Sequence, residues 1–568
     1  MRRIVIMAMS EAGITCAKQI KKACPQDEVN ILVSEAGLNT FPTSPHAAIQ
    51  SAVLKRQGIP FPDTYALTAL GLDIIATQQV QLDIGTQEIA IQTSKGALTI
   101  RYNELVLEVQ ASSRLPRPLH HKDNAFALPA ESFGQDCLPL TEALAKAQKN
   151  ALPALVVGSG MQAIDALFLA REAGLHTLWL DTPSDTTPTV DRHFTEYIIK
   201  QLQPHVVHIP SEKAGMESLE FTFEGDQVKS VTLPDGTEQP IGVCIWAETF
   251  LTMHPILRED GFILDSSGKM AFTDEKPADI HVIGSGATRP TATLCGGALS
   301  LPHYTGDSEA ALASALEVAN LLAQDDTTTT RLYGTTAATM ASMEVYRTGI
   351  SEEEATHLQV PVEHATLCFH AADLSASPVG GKAGRLSLNL IAHKEDKSII
   401  GAQVIGENAL APLAHATLNS VFEAMKSEVS LSQLKGSPLL GTSGMLIHQC
   451  ADRLLDKIAS AAKETIYGIT PYEFMASLNA GADFFVLDIR HNNEWRDGHI
   501  PLAHNIPVMD LKKRLSSEVP RYVPIVIVGK DGNDAFNVAV SLASRGARDL
   551  YVLDGGMELW THPLEKEV

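Results

Sequence analysis

Positive charge is scarce in this chain of 568 residues: 44 Lys and Arg stand against 67 Asp and Glu, a formal net charge of −23. That balance excludes the bulk electrostatics by which proteins hold nucleic acid or an anionic bilayer, so neither is an expected partner. Long apolar runs are missing too, and no uninterrupted stretch suffices to span a membrane. The opening MRRIVIMAMSEAGITCAKQI imitates a secretory signal, but Glu11 breaks its apolar run and no small-residue cleavage site follows. A first β-strand is predicted there. Cysteine is thinly spread: Cys16, Cys24, Cys137, Cys244, Cys295, Cys368 and Cys450 form no CxxC pair and no framework spacing. A disulfide scaffold is thereby excluded, and a reducing, cytoplasmic setting is expected.

What is present is an ordinary globular composition, 45% hydrophobic and 20% charged, in a chain too long for one core. Two segments carry the strand–turn–helix–strand pattern of a nucleotide-binding βαβ unit. RIVIMAMSEAGITCAKQIKKA leads into VNILVSE, and ALVVGSGMQAIDALFLAREAG leads into HTLWLDT. A strand-rich meander follows each, LDIGTQEIAIQTSKGALTIRYNELVLEV and LEFTFEGDQVKSVTLPDGTEQPIGVCIW. The helical run SEAALASALEVANLLAQDD ends in the polar tract TTTT at 327–330, a predicted linker. Strands GRLSLNLIAHK and SIIGAQVIG come next, and from residue 469 a compact α/β unit closes the chain.

This order of pieces resembles the coenzyme A-disulfide and persulfide reductase branch of the pyridine nucleotide–disulfide oxidoreductases, fused to a rhodanese domain. At the C-terminal end the resemblance rests on FVLDIRHNNEWRDGHIPLAHNIP, with Asp488, Arg490, Glu494, Gly498, His499, Ile500 and Pro507. LDGGMELW adds Gly555, Gly556 and Trp560. The resemblance implies an α/β fold with two Rossmann-like nucleotide-binding domains, an α/β dimerisation domain and a C-terminal rhodanese-like domain. The implied boundaries are 1–115 plus 265–326 for a discontinuous FAD-binding-type domain, 116–264 for an NAD-binding-type domain, 331–460 for dimerisation and 468–568 for the rhodanese-like part. It further implies a homodimer that uses FAD and NAD(P)H.

The residues that would carry the family's chemistry depart from its pattern. A flavin turn needs glycines so that pyrophosphate can approach backbone N–H groups. Here Ala8-Met9-Ser10-Glu11-Ala12-Gly13 keeps only the last, and Glu11 is predicted to cap the helix and repel an anion. Ser34 falls where a ribose-binding acid is expected, with Glu35 one place late. Glu108-Val109-Gln110 replaces an ATG-like motif, and Gly284-Ser285 a Gly-Asp motif. These four departures set the expectation against ordinary FAD binding. Ser44, in NTFPTSPHAAI, replaces the redox cysteine and cannot cycle through a disulfide. A Ser44–His46 hydrolase pair has neither an elbow motif nor a third partner. LKGSPLLG offers Gly436 where the family carries a tyrosine, and Gly529, in Gly529-Lys530-Asp531-Gly532-Asn533-Asp534, replaces the sulfur-carrying cysteine. Sulfurtransferase activity is therefore not expected; a docking or regulatory module with a protein partner is.

The second turn keeps Gly158, Gly160 and Ala163 in G-x-G-x-x-A spacing, and Asp181 ends the following strand, where a carboxylate can accept a ribose 2′-OH. NAD(H) is the ligand this implies, although Glu248 adds bulk and negative charge at a later family glycine. His364, Cys368 and His370 share one strand parity but are spaced too far apart for one ion, so satisfied sheet residues and no metal are expected. His120-His121 and His205/His208 read as ordinary loop and strand residues. Three functions stay open: a catalytically degenerate scaffold or nucleotide-sensing protein, an active NAD(P)H- and FAD-dependent oxidoreductase of sulfur metabolism with a relocated active site, and flavin-independent chemistry at the remodelled pocket.

Overall fold

A computed structural model of the protein describes residues 1–8, 11–34, 64–83, 85–108, 111–112, 115–127, 138–182, 190–210, 219–247, 250–251, 262–264, 270–272, 279–283, 292–293, 300–301, 308–323, 335–357, 359–372, 374, 384–436, 441–461, 463, 465–520 and 522–566. They fall into two compact units, one drawn from 1–188, 204–293 and 299–338, the other from 189–203, 294–298 and 339–568.

The first unit holds two parallel sheets. The β-branched run RIVIM forms β1 (Arg3–Met7), as predicted, followed by α1 (Glu11–Ala23) and β2 (Glu28–Ser34). β3 (Leu72–Thr77) and β4 (Glu104–Glu108) flank this pair, and strand Ile280–Ile283 closes the far edge beyond β4. Helix α1 turns Ile14, Ala17 and Ile20 into a core with Ile4, Ile6, Val29 and Ile31, while Lys21 and Lys22 sit favourably at its C-terminal end. The second sheet repeats the plan with β5 (Ala154–Val157), α2 (Gly160–Glu172), β6 (Thr177–Asp181), β7 (Val206–Pro210) and β8 (Val243–Trp246). All four residues of β5 and of β8 are buried, which is why those strands read as apolar runs without alternation. Both sheets place the carboxyl ends of their strands beside a helix N-terminus, where open α/β sheets bind ligands.

The second unit opens with α3 (Arg192–Leu202). Its antiparallel sheet runs β9 (Met343–Gly349), β12 (Ile399–Glu407), β11 (Arg385–His393), β10 (Val362–His370), with α4 (Gly441–Ala461) packed on it. The last hundred residues form a parallel sheet in the order Ile466–Ile469, β14 (Leu550–Leu553), β13 (Ile525–Val528), Phe485–Asp488, His504–Asn505, with α5 (Asn533–Ala543) following β13. Among the described residues, no helix is long and apolar enough to cross a membrane.

Candidate functional site

A helix N-terminus presents unpaired N–H groups and a partial positive charge, so it is a ready anion site unless something already occupies it. The ends of α1, α2 and α5 each follow a strand, and they differ in what lies against them.

At α1 a carboxylate lies against the first turn. Glu108, last residue of β4 and 1% exposed, lies over the first helical turn: a Cβ built on Gly13 would meet its Oε2 at 2.6 Å and the Ala8 Cβ at 2.7 Å. Glycine at 13 is therefore required by a neighbouring strand and by a neighbouring carboxylate at once. Below them, burial and then the charge of Glu108 push the Cys16 thiol far up, so it stays protonated and is no substitute nucleophile.

At α2 the described residues place no acid in the first turn. Gly158 has φ +141° and Gly160 φ +68°. A Cβ on Gly158 would lie 2.5 Å from the Ala247 carbonyl oxygen, so the turn is specified by conformation and by space. Ser159 precedes the helix without capping it, and its buried hydroxyl has no hydrogen-bond partner among the described residues. Ala163 is fully buried where the helix meets the sheet. The Trp179 indole N–H donates to the Gly158 carbonyl over 2.9 Å. Asp181 ends β6 partly exposed, with its Oδ2 3.1 Å from His208 Nε2 on β7.

At α5 a carboxylate again lies against the first turn. Gly532, with φ +89°, precedes the helix, and Asp531 Oδ1 accepts a 2.9 Å hydrogen bond from the Asn533 N–H. Burial, with Asp534 adding to it, raises the Asp531 carboxyl above the usual range. The loop is also covered from outside by the same unit. Gly555 N–H donates to the Thr366 carbonyl on β10 (3.1 Å), and Met557 and Glu558 N–H donate to the carbonyls of Gly529 and Lys530 (3.0 and 3.1 Å). Arg453 of α4 donates to the carbonyl and side chain of Asn533 and lies over the Phe536 ring, while Arg385 and His370 both hold Glu558.

Beneath this loop is a buried ion cluster. Asp554 faces His364 Nε2 and Lys457 Nζ, each at 3.1 Å; His364 Nδ1 faces Glu352 at 2.8 Å; Lys457 also donates to the His364 carbonyl over 2.6 Å. Burial alone would lower the His364 pKa, but Glu352 and Asp554 outweigh it and, against Lys457, raise it well above the ordinary value. Nearby, burial and then His364 push His193 down to about 4, whereas burial with Glu352 and Glu353 lifts Asp191 to about 7.

The predicted residues are thus partly assembled. Gly158, Gly160, Ala163 and Asp181 line one strand–helix edge, and Gly529 closes β13, where a Cβ would lie 3.3 Å from that of Ala535. Gly436 is exposed at the end of a short helix. The side chains of Glu11 and Ser34, and residues Glu35, Ser44, His46, Val109, Gln110, Glu248, Gly284 and Ser285, lie outside the described residues. The structure adds three contacts to these readings. The carboxylate found over the first turn is Glu108, counted in the sequence only as a lost motif position. His208 is no ordinary strand residue but the partner of Asp181. His364, Cys368 and His370 are sheet residues with partners, as expected: His364 sits in the ion cluster, Cys368 contacts Ser387 and His370 contacts Glu558. No sequence signal pairs His208 with Asp181 or His364 with Asp554; parallel register and tertiary packing do.

Comparison with known proteins fits this layout. Residues 2–293 match the pyridine nucleotide-disulphide oxidoreductase model, 335–436 its dimerisation domain and 470–563 the rhodanese-like domain. The thiosulfate sulfurtransferase GlpE of Stutzerimonas stutzeri is 29% identical over 100 residues, 18% of this chain and 89% of its own length. Among solved structures, the reduced CoADR-RHD protein of Bacillus anthracis superposes with a TM-score of 0.77 at 18% identity, covering 98% of this chain and 97% of its own. A NAD-dependent persulfide reductase from A. fulgidus does so with a TM-score of 0.75 at 17% identity, covering 98% and 100%. Those two likenesses are of fold. With its nucleotide-binding half, dimerisation domain and rhodanese-like domain all matched in order, the chain belongs to the pyridine nucleotide-disulphide oxidoreductases.

Proposed function

We propose that this protein is a catalytically degenerate member of its family, a cytoplasmic homodimer that senses NAD(H) and acts as a scaffold rather than as a disulfide or persulfide reductase. The observation that carries the proposal is the buried Glu108 carboxylate over the first turn of α1. A flavin dinucleotide would bring its pyrophosphate to that helix end, and two anions cannot share one set of N–H donors in a buried space. FAD in its ordinary pose does not fit these residues. Ser44 in place of the redox cysteine, and Gly529 in place of the rhodanese cysteine, support the same reading because neither can carry sulfur.

The second turn favours NAD(H). Gly158 and Gly160 let pyrophosphate approach the N–H groups opening α2, Ser159 offers an unused hydroxyl, and Asp181 is suited to the ribose 2′-OH. The rhodanese-like domain then serves as a brace. Its loop is engaged by the Thr366 carbonyl and Arg453 of its own unit, so a protein partner would dock on another face.

An absorbance spectrum of the purified protein, before and after incubation with FAD and desalting, tests the proposal. No flavin band in either sample is the expected result. Near-stoichiometric flavin bleached by NADH would favour the second reading, an NAD(P)H- and FAD-dependent oxidoreductase of sulfur metabolism with a relocated active site. The fold likeness to a persulfide reductase over 98% of the chain is what speaks for it.

A further inference from the structure

We infer that His208 sets which dinucleotide the second turn accepts, acting through Asp181 as a proton-dependent specificity residue. The inference rests on the NAD(H) reading of that turn. β6 and β7 are parallel, with Trp179 opposite His208 and Asp181 opposite Pro210. His208 therefore starts two pairs behind Asp181, on the same face, and its imidazole reaches along the strand to bring Nε2 within 3.1 Å of Oδ2. Its ring packs on Trp179, with centroids 4.6 Å apart, and the Trp179 indole donates to the Gly158 carbonyl. The phosphate turn and the ribose carboxylate thus share one support: Gly158, Trp179, His208, Asp181.

The charge of this support depends on one proton. β6 is the strand paired with β7; Asp181 is its only charged residue, and His208 is the only titratable residue of β7. His205, just before β7, packs instead against the ring of His176 at 5.0 Å. Asp181 itself accepts a ribose 2′-OH and repels a 2′-phosphate. A neutral His208 donates Nε2–H to Asp181 and leaves the full negative charge facing the ribose. A protonated His208 offsets that charge and adds a cation beside the place where a 2′-phosphate would lie. NADPH should therefore be rejected where His208 is neutral and tolerated where it carries a second proton.

Fluorescence titrations of the full-length protein with NADH and with NADPH, at about pH 6 and about pH 8.5, test this. The native protein is expected to prefer NADH at the higher pH, with the preference shrinking about tenfold at the lower. His208→Gln, which keeps an N–H donor without the titrating charge, is expected to hold a strong NADH preference at both pH values. Asp181→Asn is expected to discriminate poorly at both. NADH binding that depends on Asp181 with a preference flat across pH in the native protein, or a pH profile unchanged in His208→Gln, overturns the role of His208 alone. No NADH binding by the native protein at either pH overturns the NAD(H) reading and this inference with it.

Discussion

The helices α1 and α2 open from the same kind of strand in the same unit, yet their N-termini have opposite contents. Glu108 comes from the adjacent strand β4 and lies buried over α1; among the described residues, α2 has a Ser159 hydroxyl without a partner, no acid in its first turn and a part-exposed Asp181 beyond it. A protein can keep a nucleotide-binding fold while satisfying one of its anion sites internally. On the proposed reading, a carboxylate from a neighbouring strand would offset the helix dipole as a ligand does. The loop before α5 reaches the same end differently, with Asp531 capping from within.

Four substitutions break or sharpen this contrast. The largest effect is expected from Lys457→Met in the ion cluster under the α5 loop, because it leaves Asp554 and His364 buried without their cation. Loss of about 3–5 kcal/mol should appear as a lowered chemical-denaturation midpoint. Gly158→Ala should follow: its Cβ meets the Ala247 carbonyl and its φ suits glycine, so about 2 kcal/mol of stability and all NADH binding should be lost. Glu108→Ala should cost about 1–2 kcal/mol by emptying the end of α1, and thiol titration should show Cys16 more easily ionised. An unchanged Cys16 would mean that Glu108 does not govern this end. The smallest effect is expected from Asp531→Ala, about 1 kcal/mol for a lost cap, with no sulfurtransferase activity gained.

Proton linkage adds a test inside the second unit. The Asp191 carboxyl, about 7 when folded against 3.8 ordinarily, gives a stabilisation complete below the ordinary value and lost as pH rises through about 7. His193, about 4 against 6.5, does the opposite, losing its contribution as pH falls through about 4. The thermal midpoint of Asp191→Asn, measured relative to the native protein, should therefore rise between pH 5 and pH 8. A constant difference would show that Asp191 is ionised throughout.

Much of the fold is legible in the sequence because its signals are local. RIVIM and ALVV are apolar strand runs, Gly158-Ser159-Gly160 is a turn that needs its glycines, and LDGGMELW follows a strand. The contents of the sites are less legible. Glu108 is separated by 95 positions from the Gly13 it covers, and His208 meets Asp181 only through parallel pairing of β6 and β7. A sequence marks Glu108 as a missing motif residue, whereas only packing places its carboxylate against Gly13. The docked state of the Gly529 loop likewise depends on Thr366 and Arg453, far earlier in the chain.

The most direct test of the contrast is calorimetric titration of the native full-length protein with FAD and, separately, with NADH. Saturable binding of NADH near one per chain, with no heat from FAD, is the predicted result. Stoichiometric FAD binding would contradict the account, because it would require the α1 end to accept a pyrophosphate where Glu108 now lies.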